Sequence, residues 1–166
     1  MNFTDEKDYI MRMIKEMVRV LFSLAFGKKY VSVELEKENK YEVSGKNLKD
    51  FLDMIDVGQI NEAENILLDG IDYSNRDEVI AAALFYQHLS EKDSEFLESN
   101  NYTKEEVFSG FEQLLKQSGY ADLLYLVKGH GTRSTVQVTL SLTWRIIKSL
   151  STYITFRETA MPRKVN

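Results

Sequence analysis

The sequence predicts an all-α domain followed by a C-terminal segment whose residues leave strand or helix open. Three observations lead there. Apolar residues recur at helical spacing in about five stretches between residues 4 and 119, with short connections and helix-capping sequences at several starts. The single proline, Pro162, lies beyond all of these stretches, so none is broken from within. With 43% hydrophobic and 28% charged residues, the 166-residue chain is composed as one globular domain long enough to bury a core without staples. The lack of cysteine removes disulfides, zinc-thiolate sites, iron–sulfur clusters and thiol nucleophiles.

The first helix opens at Thr4, an N-cap followed by Asp5 and Glu6 where the helix dipole favours negative charge. Asp8, Arg12, Lys15, Glu16, Arg19 and Ser23 form a narrow polar stripe, with Asp8–Arg12 and Arg12–Glu16 spaced as ion pairs. The remaining arc, Ile10, Met13, Ile14, Met17, Val18, Leu21, Phe22 and Phe26, is too wide for an ordinary surface helix. It is expected to be wrapped by the domain or shared with a second copy, a homodimer through residues 9–26. Arg12, Lys15, Glu16 and Arg19 rule out a membrane span or a secretory h-region, so no membrane partner is expected and the protein is expected in the cytoplasm. Gly27 is placed to stop this helix.

In residues 28–46, alternation at Val31, Val33 and Leu35 predicts a strand pairing with Tyr41 and Val43 across Glu38-Asn39-Lys40, a solvated linker being the rival reading. Leu48, Phe51, Leu52 and Ile55 then give one helical face, and Ile60, Ala63, Ile66 and Leu67 a second. Between them the turn runs from Gly58, which permits a close reversal, to Ala63, which permits close approach of the second helix. This αα-hairpin resembles the inter-helix turn of tetratricopeptide repeats. It departs from that pattern in lacking Trp or Tyr in the first helix and in carrying Asn75 where the repeat ends in proline.

The next helix is predicted from Asn75, with Glu78 as capping partner, through Val79, Ile80, Ala83, Leu84, Phe85 and Leu89. Its Ala81-Ala82-Ala83 centre permits close packing, which marks it as the central helix. A short turn is expected around Asp93 to Leu97. The last helix starts at the capping box Thr103-Lys104-Glu105-Glu106, presents Val107, Phe111, Leu114 and Leu115, and ends at Gly119.

Three segments together carry a wider resemblance: Asp8-Tyr9-Ile10-Met11-Arg12-x-Ile14 with Phe26-Gly27-Lys28, Gly58-x-Ile60-Asn61-Glu62-Ala63-Glu64-Asn65, and Tyr102-Thr103-x-Glu105-Glu106-Val107. Over about residues 5–125 the chain resembles an uncharacterised bacterial family of small all-helical, tetratricopeptide-like proteins. The resemblance implies a repeat-like helical fold and a cytoplasmic protein, and brings no assigned activity or catalytic residue.

Residues 1–125 are therefore read as the helical domain and 126–166 as a basic, Ser/Thr-rich segment. Net charge is −11 over residues 1–122 and +6 over 123–166, where seven lysines and arginines face only Glu158, so the segment is expected to dock on the same domain. Val136, Val138, Leu140 and Leu142 alternate as a strand would; Trp144, Ile147, Leu150 and Ile154 approximate a helical face. An added edge strand and helix, an arm exchanged between copies, and a carboxyl end foreign to the family all fit.

Chemistry-bearing patterns are scarce. His88, near a helix end, suits the dipole, and His130 lies between two glycines; neither has a second ligand at metal spacing. Glu62, Asp93, Glu95, Glu105 and Glu106 fall at helix starts or on exposed faces, and the run from Asp69 through Asp72 to Asp77 has the wrong offsets for a calcium loop. No phosphate loop, dinucleotide fingerprint, nucleophile elbow or HExxH is present, so no metal, cofactor or catalytic residue is expected. Phe85 and Tyr86 on one helix and Phe108 and Phe111 on another exceed what one helix face buries, and Trp144 beside Arg145 has the residue types that anchor interfaces, which makes Tyr86, Phe108, Trp144 and Arg145 the interaction candidates, with completion of the core as the plainer reading. The sequence thus predicts a non-enzymatic scaffold for an unknown protein or peptide or for self-association through the first helix or the C-terminal segment. The alternatives are an enzyme without a recognisable motif, and a nucleic-acid accessory protein binding phosphate through Lys128, Arg133, Arg145, Lys148, Arg157, Arg163 and Lys164, which the overall acidity makes unlikely.

Overall fold

The computed structural model describes residues 3–26 and 41–126, with side chains from Tyr9 onward in the first of these spans. The described residues are mostly helical, with one two-stranded sheet of two residues a side. In chain order they form α1 (Phe3–Phe26), β1 (Glu42–Val43), β2 (Lys46–Asn47), α2 (Leu48–Asp56), α3 (Ile60–Gly70), α4 (Arg76–Ser90), α5 (Ser94–Ser99), α6 (Lys104–Gln117) and a 3-10 turn (Ala121–Leu126).

Helix α4 is the axis of the fold. Every residue from Val79 to Tyr86 is buried, as expected for a helix apolar on all sides, and the small Ala81-Ala82-Ala83 centre lets neighbours approach closely. It packs against α1, α6, α2 and β1. Helix α1 lies on α4 and α6 through Met11, Ile14, Met17, Val18, Leu21, Leu24 and Ala25. Burying a side chain of this size is worth about 1.5–3 kcal/mol, so this one face is a major part of the core. Arg76 at the start of α4 donates to the Ala25 carbonyl at 3.3 Å, while Lys15 pairs with Glu91 beyond the end of α4 at 2.9 Å. The two helices therefore run antiparallel. On the exposed stripe, Glu16 accepts from Arg19 at 3.1 Å. Asp8 and Gly27 lie outside the described side chains and residues respectively.

Helix α2 packs on α4 and forms a helical hairpin with α3. Helix α4 is capped by the Asn75 side chain, which accepts from the Asp77 N–H, and Glu78 accepts from the Asn75 side chain and from the Asp72 N–H. Thr103 and Glu106 form the expected box at α6: the threonine oxygen accepts from the Glu106 N–H, and its hydroxyl donates to the Glu106 carboxylate.

Val43 pairs with Lys46 across a tight turn at Ser44-Gly45, both at positive φ (52° and 77°), a two-residue turn whose twist matches that of the strands. The strand expected at Val31, Val33 and Leu35 and its turn at Glu38-Asn39-Lys40 lie outside the described residues. One expectation needs correction. The turn expected at Asp93 to Leu97 is helix α5, because the Asp93 side chain caps it, accepting from the Phe96 N–H at 2.7 Å.

Candidate functional site

Helices α2, α5 and α6 end in the same way. In each, the residue after the C-cap is left-handed, Gly58, Asn101 and Gly119 (φ 85°, 55° and 78°), and paired hydrogen bonds close the last turn: Gly58 and Gln59 to Ile55 and Met54, Asn101 and Tyr102 to Glu98 and Leu97, Gly119 and Tyr120 to Lys116 and Leu115. Two of these ends lock together. Asn100, oriented by donating to the Phe96 carbonyl at 2.8 Å, presses its amide oxygen against Gly58 so closely that a Cβ there would sit 2.1 Å from it. From α3, Asn61 donates to the Asn101 carbonyl at 3.3 Å. Ala63, buried one turn into α3, keeps the helices of the hairpin close.

Beneath this junction sits Glu64 of α3. Its Oε1 accepts from the hydroxyls of Tyr86 on α4 and of Tyr102 ahead of α6, each at 2.8 Å. Both rings are buried, and Tyr86 lies so flat against α6 that a Cβ at Gly110 would meet it at 2.5 Å. Burial, followed by the charge of Glu64, pushes both phenols far above their ordinary range, so each keeps its proton and remains a donor. One carboxylate oxygen thus joins α3 to α4 and to the residue that leads into α6.

A second carboxylate is arranged alike at the surface. Asp56, at the end of α2, accepts on Oδ1 from His88 Nε2 at 2.7 Å and from Lys92, whose ammonium also lies 5.5 Å from the centre of the Phe96 ring. Burial alone would raise the Asp56 carboxyl; the hydrogen bonds from Lys92 and His88 and their charges outweigh it and hold it below its ordinary value. Chemically, a histidine oriented by an aspartate is part of a nucleophile-activating arrangement. Here Lys92 occupies the same oxygen, and the cluster ties α2 to the end of α4.

The sequence-derived candidates are distributed unevenly. Tyr86, an interaction candidate whose plainer reading is completion of the core, is buried against α6 and bonded to Glu64. Phe108 is half-buried against the core. Trp144, Arg145, His130 and the other basic residues of the C-terminal segment lie outside the described residues. Asp72 of the rejected calcium loop accepts from the N–H and hydroxyl of Ser74, a local turn. Among the described residues no three His, Cys, Asp or Glu side chains come together as a metal site, and no helix is long and apolar enough to cross a membrane. Sequence reasoning did not single out Glu64. The signal was its register, four residues after Ile60 and three before Leu67, a charge on the apolar side of α3.

These junctions all fall within residues 4–119, the span matched by the model of a family of unknown function, DUF6483. The chain belongs to DUF6483. Membership covers the whole of the packed body from α1 to the end of α6, and the C-terminal segment lies beyond the match. Neither a curated protein nor a solved structure matches this DUF6483 chain.

Proposed function

We propose that this protein is a non-catalytic helical scaffold, bacterial and cytoplasmic, whose tetratricopeptide-like hairpin presents a surface to a protein or peptide or to a second copy of itself. The observation that carries this reading is Val57. It is 72% exposed at the tip of the α2–α3 hairpin, with Asp53 and Asp56 exposed beside it. The turn beneath it is fixed by the Gly58 reversal, the Asn100 contact and the Asn61 hydrogen bond. An apolar side chain held on an ordered turn loses little entropy on binding, and Asp53 and Asp56 beside it are paired with Lys49 and with His88 and Lys92 of the same chain. The polar groups of the two carboxylate clusters are bonded to one another across helices, which supports a structural use for them.

The experiment is affinity capture from the native cell with wild-type protein and with Val57→Asp of unchanged helix content. A partner recovered with the first, confirmed by capture in the reverse direction, and lost with the second is the expected result. Equal recovery with both, or substrate turnover that depends on Glu64 or His88, would overturn the reading.

A further inference from the structure

The tip of the α2–α3 hairpin meets α5 along a seam. Asp56 binds Lys92, and Gly58 receives the side chain of Asn100. Val57 lies between Asp56 and Gly58, and Phe96 lies midway between Lys92 and Asn100, so the two stand level with one another on the seam. Val57 is 72% exposed, and Phe96 is half-buried. Met54, three residues before Val57 on the same side of α2, is half-buried as well. The charges around these apolar residues are of two kinds. Asp53 is paired with Lys49, and Asp56 with Lys92 and His88; Lys49 and Lys92 are the only lysines or arginines in residues 48–70 and 91–101. Asp50, one stripe with Asp53 and Val57 on α2, Glu62 in the first turn of α3 and Glu95 next to Phe96 are all exposed. Among the described residues, none of these three carboxylates makes an ion pair.

We propose that this patch docks a lysine- or arginine-rich segment of another protein that carries an apolar side chain. The apolar group meets Val57 and Phe96, and the cations meet Asp50, Glu62 and Glu95. The inference rests on the scaffold reading and gives its partner a chemistry. Exposed carboxylates with no cation of their own attract cationic segments and repel anionic ones. The same field selects against a second copy, since an isologous contact through Val57 would bring two anionic rims together. An apolar centre with a charged rim is also how specific interfaces divide affinity from steering: the centre holds the partner and the rim guides it in.

The probe is a short synthetic peptide with one leucine flanked by lysines, titrated into the isotopically labelled full-length protein and followed by amide chemical shifts. Saturable shifts centred on Asp50, Val57, Glu62 and Glu95 are expected. Affinity should fall about tenfold in the double reversal Glu62→Lys with Glu95→Lys, whose circular dichroism should match the wild type because both positions are exposed. Replacing the leucine of the peptide by serine should weaken binding by a similar factor, about tenfold. The proposal is overturned by the absence of saturable shifts, by shifts spread over the other acidic surfaces, by equal binding of a peptide with glutamine for lysine, or by indifference to the double reversal. Shifts of the same amides on dilution without peptide would assign the patch to a second copy. Peptide binding seen only after Arg145 and Lys148 are neutralised would assign it to the chain's own C-terminal segment, and either result also overturns the proposal. Failure here is separable from failure of the scaffold reading. Native capture lost with Val57→Asp but untouched by the double reversal leaves a scaffold whose partner is not basic, whereas capture untouched by both removes the two readings together.

Discussion

Glu64 and Asp56 are the same device in two environments. Each offers a single carboxylate oxygen to two donors from elsewhere in the chain, and each joins one arm of the α2–α3 hairpin to α4 or its end. At Glu64 the donors are neutral phenols on buried rings; at Asp56, whose side chain is 49% exposed, they are an ammonium and an imidazole within reach of water. A hydroxyl left without its acceptor inside the protein keeps the full desolvation penalty, whereas an exposed ion pair exchanges readily for hydration. The larger formal charges therefore belong to the weaker junction, and burial sets the energetic order.

The largest effect expected is that of Glu64→Ala, which orphans two buried hydroxyls at roughly 1–3 kcal/mol each. Denaturant unfolding should show a loss of about 2–4 kcal/mol, while Glu64→Gln, which keeps an acceptor oxygen, should recover most of it. Next comes Gly58→Ala. A Cβ in the left-handed conformation costs about 1–2 kcal/mol, and here it must also displace Asn100. A loss below that range would mean that the two helix ends are not locked as described.

Asp56→Ala should cost less than about 1 kcal/mol, and the difference from wild type should shrink in molar salt, which leaves Glu64→Ala unaffected. The smallest expected effect is on pH dependence. A carboxyl depressed in the folded state stabilises above its unfolded value and loses that stabilisation as pH falls through the folded one. The contribution of Asp56 is thus complete above its ordinary value of 3.8 and disappears in more acid solution, so wild type and Asp56→Ala should converge there in stability.

Much of this architecture was legible in the sequence because it is written in local patterns. The Ala81-Ala82-Ala83 centre announced the axial helix, Thr103 and Glu106 the start of α6, and Gly58 the hairpin reversal. What was missed is non-local or very short. Helix α5 has six residues and rests on one cap at Asp93; the β1–β2 pair has two residues on each side, joined at Ser44-Gly45. Asn100 and Asn101 act through a neighbour some forty residues away, which no spacing rule reveals. Tyr86 illustrates the same limit: its type suggested an interface, and only packing against Gly110 and the bond to Glu64 place it inside.

The central claim is that the polar clusters hold helices together and leave recognition to the surface. The measurement that bears on it most directly is unfolding of Glu64→Ala with and without Tyr86→Phe and Tyr102→Phe, read beside partner capture. Removing both hydroxyls should restore much of the stability lost with Glu64, a strongly non-additive cycle, and capture should follow stability throughout. A Glu64→Ala protein as stable as the wild type that has nonetheless lost its partner would contradict the claim and make Glu64 a binding residue in its own right.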